Sequence, residues 1–176
     1  MSAVEHLWNG WRSAYVGGSS PAPPGDGSVF TRLLNSGLTD EETYIVHRSR
    51  TCFALLNAFP YSTGHLLVVP YREVPDLTDL DVEEAIDLWS TVHEAVRALR
   101  ASHQPVGLNV GINMGPVAGG SIAEHLHVHV VPRWLGDSNF MTAIANTRTL
   151  PEALIESAER VRNAWPSSGG GPKVHV

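Results

Sequence analysis

The sequence predicts an α+β fold: an antiparallel sheet of about five or more strands with helices packed against it. Three observations carry this. Short apolar runs recur between Gly, Pro, Asn and Asp punctuation, as buried strands do. One long segment after Pro75 instead spaces its apolar residues by fours and threes, the period of a helix face. The strand-like runs mostly follow one another as hairpins, with the helices gathered elsewhere, so the sheet should be antiparallel.

Taken in order, residues 1–16 carry Leu7, Trp8, Trp11 and Tyr15, an apolar set that one segment could present to the body of the protein. Residues 17–28, rich in Gly, Ser and Pro, read as a flexible loop. Residues 44–48 and 52–58 suit two strands around a short turn. Residues 64–71 suit a third, ended by Pro70 and Pro75. A helix follows, with Thr78 or Asp79 as its cap and an apolar stripe of Ala85, Trp89, Val92, Val96 and Leu99. Residues 107–113 and 125–132 complete the sheet, and residues 151–165 form a closing helix with Pro151 near its start. Residues 167–176, with Gly169, Gly170 and Gly171, read as a mobile tail. The whole is expected to be a single domain, residues 1–176, with its core at about 40–165.

Composition narrows the function. Of 176 residues, 43% are hydrophobic and 17% charged, as in globular chains. The longest apolar stretches are too short to span a bilayer, and no secretory signal opens the chain. The single Cys52 cannot form an internal disulfide and reads as a buried structural thiol. A cytoplasmic protein is expected. Net charge is −6 and the 12 Lys and Arg residues are scattered, which argues against a nucleic-acid-binding face. A small phosphorylated ligand held by a local cluster of donors is still compatible.

The nine histidines carry the functional argument. In Glu124-His125-Leu126-His127-Val128-His129-Val130-Val131, strand alternation sends His125, His127 and His129 to one face and Leu126, Val128 and Val130 to the other. Three imidazoles about 7 Å apart in succession are hard to explain by packing, because each ring has two nitrogens needing partners. One reading is a metal site, which would need a further ligand, such as His65 from a neighbouring strand. The other is nucleophilic catalysis by a neutral imidazole whose second nitrogen donates to a fixed acceptor. The loop from Asn113 to Ser121 favours the second. Gly119 and Gly120 admit close backbone approach to a ligand, successive N–H groups can cradle an anion, and Ser121 adds a hydroxyl. Arg133 could add charge beyond the strand.

These residues resemble the histidine-triad (HIT) family. His125 to Val131 matches its alternating histidine pattern, residues 56–70 with Asn57 and His65 resemble its first block, and the loop from Asn113 to Ser121 its second. The resemblance spans about residues 40–140 and implies the HIT-like fold, with a nucleotide across the sheet and usually a homodimer, a tetramer being the alternative. It implies His127 as nucleophile, His129 on the attacked phosphate, His125 orienting His127 through its backbone carbonyl, and His65 completing the network. Asn57 would hold the ribose, and Asn113, Gly119, Gly120 and Ser121 the phosphates. One departure stands out: many relatives carry glutamine near the second glycine, where this chain has Gly120-Ser121 and is one residue longer.

Within the family, the chain is similar to actinobacterial diadenosine tetraphosphate phosphorylases, through its Trp8/Trp11 segment, residues 119–124, and Pro132-Arg133-Trp134 with the stretch after it. This implies phosphorolysis of a dinucleoside polyphosphate, diadenosine tetraphosphate yielding ADP and ATP through an adenylyl-histidine. Inorganic phosphate is the second substrate, with Ser121, Arg133 and Arg148 as candidates for its pocket. No cofactor or resident metal is expected; magnesium would enter only with the polyphosphate. Hydrolysis of dinucleoside polyphosphates or adenylate phosphoramidates is the alternative activity, and a nucleotide-binding regulatory module the alternative of another class.

Overall fold

The computed structural model describes residues 5–6, 25–115, 117–118, 122–137, 147–148 and 152–167. Its centre is a five-stranded sheet of β2 (Ile45–Arg48), β3 (Cys52–Leu56), β4 (Leu66–Pro70), β5 (Gly107–Ile112) and β6 (Val128–Arg133), in the order β2-β3-β4-β6-β5. Every pairing in it is antiparallel. A separate parallel pair joins β1 (Glu5–His6) to β7 (Thr147–Arg148). The helices are α1 (Val29–Leu34), α2 (Asp40–Thr43), α3 (Val82–His103) and α4 (Leu154–Ala164).

Several boundaries differ from the sequence reading, each for a local reason. Strand β2 begins at Ile45 because Tyr44 caps α2 in the left-handed conformation, at φ 56°. Arg162 of α4 closes that turn by donating to the carbonyls of Asp40 and Ile45. Helix α3 is capped by Asp81, not by Thr78 or Asp79. Asp76 caps a single 3-10 turn at Leu77–Asp79, and Asp81 with Glu84 then forms a capping box. The buried stripe of α3 is Leu88, Thr91, Val92, Ala95, Ala98 and Leu99, sharing only Val92 and Leu99 with the expected one. Trp89 faces solvent: the small Ala95 and Ala98 let the helix sit close to its neighbours, and a large ring does not fit that face. Helix α4 starts at Leu154 without a side-chain cap.

The sheet separates two apolar layers. On one face, Ala54, Leu56, Leu66, Val68, Leu126, Val128 and Val130 pack against Leu88, Val92 and Leu99 of α3 and Ala158 and Val161 of α4. On the other, Ile45, Phe53, Leu55, Leu67 and Val69 pack against Phe30 and Leu33 of α1. Helix α1 lies just past the stretch read as a loop. It covers one part of this second face; toward β5, among the described residues, the face borders a cavity. Among the described residues no helix is long and apolar enough to cross a membrane.

Candidate active site

The histidine segment is part strand and part bend. Strand β6 begins at Val128, so His125 and His127 precede the ladder and only His129 lies within it, opposite Leu67 of β4 and Gly111 of β5. The alternation nevertheless holds. Leu126, Val128 and Val130 enter the helix-covered core, and the histidine rings gather on the opposite side. His127 lies edge-on to His129 at 4.9 Å between centroids. Phe30 packs 5.4 Å from both His125 and His127.

Hydrogen bonds fix the tautomer of each ring. His127 Nδ1 is 2.8 Å from the backbone carbonyl oxygen of His125. A carbonyl only accepts, so Nδ1 carries the hydrogen and Nε2 presents a lone pair. His125 Nε2 donates to the Pro70 carbonyl at 2.9 Å, which leaves its Nδ1 to accept from the Ser28 hydroxyl at 2.6 Å. His65 Nδ1 accepts from the backbone N–H of Tyr61 at 3.1 Å, with the Asn57 amide nitrogen 3.3 Å away. Its Nε2–H therefore points to His129 Nδ1, 3.0 Å distant. His129 in turn carries its hydrogen on Nε2, 3.5 Å from the Asn113 amide nitrogen, which is itself a donor and leaves that hydrogen without an acceptor there. The array leaves one lone pair, on His127, next to one N–H donor, on His129.

Burial favours the neutral form of His125, His127 and His129. His65 and His125 are fully buried and His127 is 5% exposed. Desolvation lowers the pKa of His125 and His127, partly opposed by the bonds to the Pro70 and His125 carbonyls. His129 is pushed down to about 4 by burial and by the neighbouring His127. A neutral imidazole with its lone pair free is the state a nucleophile needs.

Beside His129 a cavity of about 400 Å³ opens over β5 and β6, lined by Tyr61, Asn109, Asn113, His129, Arg133 and Asp137. Tyr61 stacks on His129 with a 16° interplanar angle. Arg133 makes a paired bond to the Asp137 carboxylate and a third to the Asn109 side chain, so its charge is balanced in place. Asn57 accepts from the Phe59 N–H while its amide nitrogen faces His65. The structure thus brings His65, His125, His127, His129, Asn57 and Asn113 together and sets Arg133 at the far end of the same cavity. Gly119, Gly120 and Ser121, like Trp8 and Trp11, lie outside the described residues, as does the Arg148 side chain. Among the described residues no three His, Cys, Asp or Glu side chains converge as a metal site.

Ser28, Phe30 and Tyr61 escaped the sequence reading. Ser28 was legible as a helix cap: it directly precedes Val29 and Phe30, with Leu33 and Leu34 a turn later. The Gly and Pro before it drew the reading toward a loop.

A sheet face bearing a neutral, tautomer-fixed histidine array defines a histidine-triad protein. The chain matches the HIT domain over residues 39–134 and belongs to that family. Over 172 residues it is 40% identical to an AP-4-A phosphorylase of Mycobacterium tuberculosis, covering 92% of this chain and 85% of that protein. It is also 39% identical over 85 residues to a bifunctional bis(5'-adenosyl)-triphosphatase/adenylylsulfatase of Arabidopsis thaliana, covering 48% of this chain and 47% of that one. Among solved structures, a zinc-bound histidine triad family protein of Mycobacterium smegmatis superposes with a TM-score of 0.64 at 28% identity, over 78% of this chain and 92% of that one.

Proposed function

We propose that the chain is a nucleotidyltransferase that phosphorolyses dinucleoside polyphosphates, converting diadenosine tetraphosphate and inorganic phosphate to ATP and ADP. The observation that carries this is the bond from His127 Nδ1 to the His125 carbonyl, which leaves Nε2 as the attacking atom. In the first step Nε2 forms a bond to the α-phosphorus and the bridging P–O bond breaks, releasing ATP. The imidazolium so formed keeps its Nδ1–H on the His125 carbonyl. In the second step a phosphate oxygen attacks the same phosphorus, the P–N bond breaks and ADP leaves. The Nε2–H of His129 donates to a non-bridging oxygen as charge develops there. His65 fixes His129, Asn57 holds the ribose, and Asn113 with Gly119, Gly120 and Ser121 contacts the phosphates. Arg133 reaches the acceptor phosphate only by exchanging its bonds to Asp137. Magnesium accompanies the polyphosphate and no resident cofactor takes part. The protein works in the cytoplasm as a single-domain homodimer, a second copy covering the exposed Val106 and Val110 at edge strand β5.

The similarity to the mycobacterial phosphorylase, across nearly the whole chain, supports phosphate as acceptor. Similarity to the plant triphosphatase over about half the chain favours a second reading, in which water takes the adenylyl group. Product analysis with diadenosine tetraphosphate separates them. ADP and ATP formed only with added phosphate establish the phosphorylase; AMP and ATP at a rate indifferent to phosphate establish the hydrolase.

A further inference from the structure

We infer that Ser28, upstream of the family-matched residues, is a positioning residue for the histidine array: its hydroxyl clamps the His125 ring, and through it the carbonyl that fixes His127. This rests on His127 being the nucleophile.

The argument starts from where His125 sits. The ladder of β6 begins only at Val128, so interstrand bonds do not orient the His125–Leu126 peptide. Two other attachments do. The Leu126 N–H of that peptide donates to the Val74 carbonyl at 2.7 Å, and its carbonyl receives the His127 Nδ1–H at 2.8 Å. The adjoining His125 ring is gripped at both nitrogens, by Pro70 and by Ser28. Ring and peptide share one α-carbon, so freeing the ring also loosens the acceptor that sets the tautomer of His127.

Ser28 is itself held firmly. It is 1% exposed, caps α1 by accepting from the Thr31 N–H, and donates its own N–H to Glu73 at 2.8 Å. Glu73 also accepts from the Thr31 hydroxyl at 2.6 Å, which ties α1 to the segment carrying the Pro70 and Val74 carbonyls. Gly27 makes room for this: at φ +89°, a Cβ there would lie 2.8 Å from the Glu73 carboxylate. The bond from Ser28 to His125 spans 97 residues and is far more specific than a cap requires.

Ser28→Gly is the informative variant, because glycine replaces serine at a cap for only a few tenths of a kcal/mol while deleting the hydroxyl. Its fold is checked by circular dichroism, its turnover with diadenosine tetraphosphate and phosphate, and its ring tautomers by nitrogen-15 NMR of histidine-labelled protein without substrate. His127→Asn assigns the resonances of His127. The expected result is a folded variant with kcat down about tenfold, KM within about twofold, and His127 changed from one Nδ1–H form to a mixture of tautomers. Ser28→Thr, which keeps the hydroxyl, should restore both turnover and spectrum. Unchanged kcat and an unchanged spectrum in Ser28→Gly would overturn the inference and leave Ser28 a helix cap only. The spectrum needs no substrate, so it decides the matter even if diadenosine tetraphosphate is not turned over. Undiminished turnover by His127→Asn would instead sink the nucleophile assignment.

Discussion

Replacing His129 with Asn should remove a measurable part of the protein's acid sensitivity. The variant keeps an acceptor near the place of Nδ1 for the bond from His65 Nε2 and deletes the titrating ring. In the native protein, burial and the adjacent His127 lower the His129 pKa from 6.5 to about 4. Between those values the unfolded chain binds a proton that the folded chain refuses. The stability is therefore fully present above about pH 6.5 and is lost as pH falls toward 4. The full span corresponds to roughly 3 kcal/mol. Because the ring is only partly buried, solvent screening reduces the expected loss to about 2 kcal/mol. Urea unfolding of both proteins, followed by circular dichroism at pH 7, 6, 5 and 4, gives the difference in stability at each value. That difference should shift by about 2 kcal/mol against the native protein on acidification, and most steeply below pH 6. His125 and His127 have pKa values lowered in the same direction and titrate in both proteins, so the comparison isolates His129. A difference independent of pH would refute the claim that the folded site holds this ring neutral.

Three further outcomes follow from the structure. His127→Asn should lower turnover by at least about a thousandfold, and intact-mass analysis of reactions quenched in alkali, where a P–N bond survives, should find the adenylyl adduct on native protein alone. Gly64→Ala should cost about 2 kcal/mol, read as a lower melting temperature: Gly64 adopts φ +77° and a Cβ would meet Leu99 at 3.2 Å and His103 at 3.3 Å. Cys52 should resist alkylation in the native state and react on unfolding, because it is 1% exposed and burial pushes its thiol pKa up to about 12.

What the sequence revealed depends on how local the governing physics is. The alternation of His125, His127 and His129 against Leu126, Val128 and Val130 follows from backbone geometry, and so it was legible, as were the antiparallel strands. The bend at His125 was not. Alternation says which way a side chain points, not whether a neighbouring strand reaches far enough to pair with it; β4 stops pairing with β6 at Val128. The cap of α3 differs from the expected one for a related reason: Thr78, Asp79 and Asp81 are all competent caps, and Asp81 wins through its reciprocal bonds with Glu84. The contribution of α1 was beyond local reasoning. Nothing near Ser28 in the chain hints at a histidine 97 residues away, because that contact exists only once the sheet has formed. The bend and the contribution of α1 meet at one place. The bend deprives the His125 carbonyl of a strand partner, which is why the orientation of His127 depends on groups brought from elsewhere: Val74 from the segment after β4 and Ser28 from the cap of α1. The triad pattern therefore identifies the rings that gather, while the setting that fixes the tautomer of His127 is a tertiary property.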